Sequence, residues 1–249
     1  MTDRWRVSAN GATLANAVLG GAAIVYTYLG NPIWAMLLIA IAIGFDGLDG
    51  MLSRRSGDPA SSFGRIADSV ADGITFGLAP AFLIGVHTVD PAAWAAWAWL
   101  VVPLAVAYAA AALVRLTLFT ALLHDRPYFL GVPTPEAALA VIAALLAHDV
   151  PAFQSVQPLG VSVGVAAITV LMLVPIPYPK IRRGTPLRVP MALTAAAAAV
   201  ALVPLQFRPA PGTPLYLVAE VAALVLLVGV ASYYLLGPFT VRRDRPSPA

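Results

Sequence analysis

The chain is dominated by long apolar windows, at about 11–29, 33–52, 64–86, 94–122, 134–149, 156–175, 188–206 and 214–236. Each approaches the roughly 20 residues an α-helix needs to cross the hydrocarbon of a bilayer. Proline-bearing connectors separate them: GNP at 30–32, HTVDP at 87–91, VPIPYPKIRRGTP at 174–186 and FRPAPGTP at 207–214. Proline ends a helix because it lacks the N–H and clashes with the preceding turn. With 60% hydrophobic and 11% charged residues, the chain leaves no stretch for a separate water-soluble core. The expected fold is all-α: a polytopic membrane helix bundle of about eight transmembrane helices forming one domain over 1–249. The N-terminal MTDRWRVSANGATLANAVLG carries charge before its apolar run but no clear cleavage site, and reads as a first span. The run LTAAAAAVALVPL at 193–205 reads as bundle-filling helix.

The basic residues orient such a bundle. Thirteen of the 15 lysines and arginines fall before the first window, in or at the edges of even-numbered connections, or after the last window. Arg208 lies on the other side, and Arg115 lies inside the fourth window. The positive-inside rule then puts both termini in the cytoplasm. Tyr26, Tyr28, Trp34, Trp94, Trp97, Trp99 and Tyr216 are expected in an outer aromatic belt, and Tyr178, Tyr233 and Tyr234 in an inner one. A net charge of +3 spread over short connectors is a topology signal and gives no basic face for nucleic acid. The absence of cysteine excludes disulfides, thiolate nucleophiles and thiolate metal sites, so a metal must be held by oxygen or histidine.

Acids in such a chain need a reason. Asp46 and Asp49 are three residues apart, about 60° around a helix, and Asp68 and Asp72 are four apart, about 40°. Each pair shares a helical face, and the 51–63 hairpin lets the two faces meet at the inner membrane boundary. Unpaired, four carboxylates there would repel one another and resist desolvation, so each must be protonated, ion-paired or bound to cations. Four acids from two helices suit hard cations with oxygen ligands, Mg²⁺ or Mn²⁺, with room for two ions. Gly44, Gly47, Gly73 and Gly77 are expected to allow close helix packing. Gly50 and Gly64 sit beside the acids, where a bare backbone admits a phosphorylated ligand. Ser53, Arg54 and Ser61 add donors and a cation for phosphate. Asp58 reads as a turn residue, Glu136 as a helix-start acid, Glu220 as an interhelical hydrogen-bonding group, and the three histidines lack ligand spacing.

Asp46-x-x-Asp49-Gly50-x-x-Ser53-Arg54, followed by Gly64-x-x-x-Asp68-x-x-x-Asp72, resembles the signature of the CDP-alcohol phosphotransferase family, D-x-x-D-G-x-x-A-R-x(8)-G-x-x-x-D-x-x-x-D. Ser53 stands where alanine is usual, and nine residues rather than eight separate Arg54 from Gly64. ANGATLANAVLG at 9–20, DSVADGITFGLAPA at 68–81, FLGVPTP at 129–135 and IPYP at 176–179 are similar to patterns of the integral-membrane phosphatidylserine synthase branch. The likeness covers about 9–180, a catalytic core, and leaves the two spans over 188–236 as additions. Where the branch shows R-L-A-R-F-N, this chain has RLTLFT at 115–120, keeping Arg115 but carrying Leu118 and Thr120.

The resemblance implies a metal-dependent phosphatidyltransferase of phospholipid synthesis, joining CDP-diacylglycerol to an alcohol and releasing CMP. L-serine is the first-choice acceptor; glycerol phosphate, inositol phosphate or another alcohol is the alternative. It implies Asp46, Asp49 and Asp68 as metal ligands and Asp72 as both ligand and general base. It places Gly50, Arg54 and Ser61, with Ser53, Gly64, Asn10 and Thr13, at the CDP-lipid, and Arg115 at the acceptor. It also suggests a homodimer in the bacterial inner membrane with a cytoplasmic active site. An ion-coupled transporter is the competing class, but its relay acids belong near the midplane and an inverted repeat is not visible.

Overall fold

The structure, a computed structural model, describes residues 2–56, 62–86, 91–123, 128–149, 158–180 and 188–243. Side chains are described for 11–46, 64–86, 96–121, 128–147, 159–180 and 193–241 except 195. The described chain is almost entirely helical and gathers into two compact units, 1–121 and 122–249.

The first unit holds α1 (Thr2–Tyr28), α2 (Pro32–Ser56), α3 (Ser62–Asp72), α4 (Ala79–Val86) and α5 (Pro91–Leu118). A π-helical stretch, Gly73–Leu78, makes α3 and α4 one continuous rod, and a second π turn, Phe119–Leu123, closes α5. α1 packs along α2 and against the α3–α4 rod, while α5 packs on α4 and the π stretch. Small residues permit the approach: a Cβ on Gly77 would lie 3.2 Å from the Ala112 Cβ, and one on Gly73 would lie 3.3 Å from Leu113 Cδ2. Gly44 shows no packing role among the described residues, since a Cβ there meets none of them within 4 Å.

The second unit holds β1 (Tyr128–Leu130), α6 (Thr134–Asp149), α7 (Pro158–Leu173), β2 (Pro177–Pro179), α8 (Arg188–Leu205) and α9 (Pro214–Arg243). The short antiparallel pair β1–β2 departs from the all-α expectation. It sets Phe129 opposite Tyr178 and joins FLGVPTP to IPYP, stretches far apart in sequence. Pro177 and Pro179 cannot donate to a ladder, which keeps the pairing short. Gly131 ends it at φ +74°, where an added Cβ would lie 2.9 Å from the Met172 carbonyl carbon. Tyr178 and Tyr233 are each 1% exposed and stack at 5.5 Å, with Tyr234 edge-on to both. Tyr178 and Tyr233 form a buried seam between β2 and α9 rather than an inner aromatic belt, with the half-buried Tyr234 at its edge. The alanine-rich α8 packs on α9, with Gly229 against Thr194.

Among the described residues, Gly64–Val86, Ala96–Ala121 and Pro214–Val241 are long and apolar enough to cross a membrane. Shorter apolar helices lie at Pro32–Asp46, Thr134–Ala147, Leu159–Leu173 and Ala196–Leu205. Large apolar side chains face outward along them, including Leu217, Val221, Val228 and Leu235 of α9. The chain is a membrane protein: a surface so apolar needs lipid as its solvent.

Candidate active site

α3 is built inside out relative to a helix in water. Ile66 and Val70 are each 58% exposed, whereas Asp72 is 9% exposed. Apolar side chains outward and carboxylates inward is the arrangement lipid imposes on a helix that must carry charge. Asp46 projects from α2 toward the same place. One carboxylate oxygen from each of Asp46, Asp68 and Asp72 lies within 4.8 Å of the others.

α1 supplies the partner of the most buried acid. Asn16, 2% exposed, donates from Nδ2 to Asp72 Oδ1 at 2.8 Å. Thr75, in the π stretch and fully buried, donates its hydroxyl to the Asn16 backbone carbonyl at 2.8 Å. The two helices meet there without a side chain between them, because a Cβ on Gly20 would stand 2.7 Å from the Thr75 Cα. The π stretch has its own local cause. Pro80 cannot donate to the Phe76 carbonyl four residues back, and Tyr108 of α5 donates its hydroxyl to that carbonyl at 3.0 Å instead. The Ala79 N–H meanwhile reaches the Ile74 carbonyl, five residues back.

Arg115, 6% exposed, lies within electrostatic reach of Asp72, and its guanidinium sits 5.9 Å from the centre of the Phe119 ring. One turn on, the Thr120 hydroxyl meets that of Ser69, on the residue following Asp68. Leu118 is 44% exposed and points away from buried chemistry. Thr13 lies half-buried on α1, three residues before Asn16, and Gly64 lies half-buried near the start of α3. Asp49, Gly50, Ser53 and Arg54 lie on α2 and Asn10 on α1, but their side chains are outside the described ones; Ser61 is outside the described residues altogether.

Asn16, Thr75 and Tyr108 have no role in the sequence expectations. The available signal was an amide inside an apolar window, three residues after Thr13 and so on the same face of α1.

Three carboxylates within 4.8 Å form a hard oxygen donor set suited to a divalent cation. The surroundings fit one. An amide N–H already orients the most buried carboxylate, and Asn16 Oδ1 is buried without a hydrogen-bond partner among the described residues.

A profile of the CDP-alcohol phosphatidyltransferase family matches residues 6–203. The chain is 33% identical over 170 residues to the archaetidylserine synthase of Methanothermobacter thermautotrophicus, covering 68% of each protein. It is 26% identical over 174 residues to the CDP-diacylglycerol–serine O-phosphatidyltransferase of Bacillus subtilis, covering 69% of this chain and 89% of that one. Against the protein of that name from Mycobacterium leprae it is 33% identical over 142 residues, 53% of this chain but only 44% of the relative. The matched residues run from α1, through every helix bearing the acids, into α8. The chain belongs to the CDP-alcohol phosphatidyltransferase family.

Proposed function

We propose that the chain is a phosphatidyltransferase that joins CDP-diacylglycerol and L-serine into phosphatidylserine and releases CMP. The observation that carries this reading is the convergence of Asp46, Asp68 and Asp72 in the first unit, in the order of the family signature. The names of the relatives point to the same acceptor.

Asp46, Asp49, Asp68 and Asp72 would hold Mg²⁺ or Mn²⁺, two ions in all. When bound, these neutralise the diphosphate and stabilise the departing CMP. Asn10, Thr13, Gly50, Ser53, Arg54, Ser61 and Gly64 receive the CDP part. Arg115 pairs with the serine carboxylate; a guanidinium 6% exposed in an apolar span is retained for an anion. Asp72 takes the proton of the serine hydroxyl as its oxygen bonds to the phosphorus carrying the diacylglycerol. The bond from that phosphorus to the CMP oxygen breaks, and the electron pair leaves on CMP. The protein crosses the bacterial inner membrane eight times with both termini and the acids on the cytoplasmic side, as a homodimer.

The Ser69–Thr120 hydroxyl contact favours a second reading, in which the same chemistry serves another alcohol. It lies where the synthase branch carries asparagine. Purified protein supplied with CDP-diacylglycerol, Mn²⁺ and either serine, glycerol phosphate or inositol phosphate decides between them when the lipid product is identified by mass spectrometry. Phosphatidylserine with equimolar CMP is expected. Product from a different alcohol alone selects the second reading, and no CMP release with any alcohol overturns both.

A further inference from the structure

We propose that Asn16 is a positioning residue for Asp72, fixing its carboxylate for metal and proton work, and that the Thr75 hydroxyl fixes Asn16 in turn. This rests on the reading of Asp72 given above. The chain of contacts is continuous: Thr75 Oγ1 donates to the Asn16 carbonyl at 2.8 Å, and Asn16 Nδ2 donates to Asp72 Oδ1 at 2.8 Å. Asn16, Asp72 and Thr75 are buried, and Gly20 lets the α1 backbone close directly on Thr75. The acid dictates the orientation of the amide, since a flipped amide would set oxygen against carboxylate.

Packing does not account for this asparagine. Its Oδ1 is buried with no hydrogen-bond partner among the described residues, a condition that is destabilising. Leucine has nearly the same shape and leaves no orphaned polar atom. An aspartate would add a further negative charge beside three carboxylates. What the amide supplies that neither can is a neutral N–H aimed at Asp72. Outer groups of this kind orient first ligands, and their loss lowers metal affinity or activity about 10- to 100-fold.

The test compares wild type with Asn16→Leu, Thr75→Val and Thr75→Ser, purified in detergent. Each is titrated with Mn²⁺ alone by calorimetry, assayed for CMP release with CDP-diacylglycerol and serine, and melted without metal. Asn16→Leu is expected to raise the Mn²⁺ Kd and lower kcat, each about 10- to 100-fold. The serine KM should stay within about twofold, and without metal the variant should still melt cooperatively, at a temperature lowered only by the lost hydrogen bond to Asp72. Thr75→Val, nearly isosteric, is expected to follow in the same direction by a smaller factor, and to add nothing in the Asn16→Leu background. Thr75→Ser, which loses a methyl but keeps the hydroxyl, should recover most of both. The proposal is overturned if Asn16→Leu binds Mn²⁺ and turns over like wild type. It is equally overturned if Thr75→Ser is as impaired as Thr75→Val with a matching fall in melting temperature, the pattern of a packing role. If wild type releases no CMP with any alcohol, the proposed reaction fails on its own, and the Mn²⁺ titrations still decide the role of Asn16.

Discussion

Asp72 shares its pocket with two other acids, one amide and one buried guanidinium. A carboxylate so placed is either neutralised by a cation or held at large electrostatic expense. Asp72→Asn keeps the shape and removes the proposed base, so it should lower CMP release by about 10²–10⁴-fold while the protein still folds; full metal-dependent turnover by that variant would remove Asp72 as base. Arg115→Met should act differently. It removes the guanidinium proposed to meet the serine carboxylate, so the serine KM should rise about tenfold or more while the CDP-diacylglycerol KM holds. A rise in both would show that Arg115 instead shapes the whole site. These acids were readable from sequence because charge inside an apolar window is conspicuous and its three- and four-residue spacing fixes a face. Asn16 was not. One buried amide is chemically ordinary, and the spacing of α1 alone does not say which of its faces meets α3.

At the scale of elements, the π stretch Gly73–Leu78 ties the site to the fold. It lies between Asp72 and Pro80, and the Phe76 carbonyl that the proline abandons is claimed by Tyr108. Tyr108→Phe strands that carbonyl in an apolar interior, which should destabilise the protein by about 1–3 kcal/mol. Pro80→Ala returns a backbone N–H to the helix, so Tyr108→Phe should be less harmful in that background. Equal losses in both backgrounds, read from melting temperatures, would argue against the compensation. The sequence placed all eight helical windows, because length and hydropathy decide them. It missed the π register and the β1–β2 pair. Both are tertiary outcomes: one depends on a tyrosine 32 residues away, the other on two proline-rich stretches meeting. Tyr178 and Tyr233 were misplaced for a related reason. An aromatic near a span end suits an interface, and only the docking of β2 on α9 buries these two.

For the whole molecule, the proposed topology has loops alternating across the bilayer with the acids at the cytoplasmic rim. The absence of native cysteine makes this directly measurable. Cysteines at Asn31 and Ala210 should react with a membrane-impermeant maleimide in intact cells, whereas cysteines at Asp58 and Ser247 should react only after lysis. Labelling of Asp58→Cys in intact cells would invert the bundle and put the acids on the wrong side for cytoplasmic CMP release. The proposed chemistry depends above all on Asp46, Asp68 and Asp72, whose carboxylates lie within 4.8 Å of one another, sharing a divalent cation. Anomalous diffraction from crystals soaked in Mn²⁺ tests it most directly. A manganese peak bounded by those three carboxylates is expected; crystals that load manganese only elsewhere, with the three acids each engaged by a separate cationic side chain, would rule the site out.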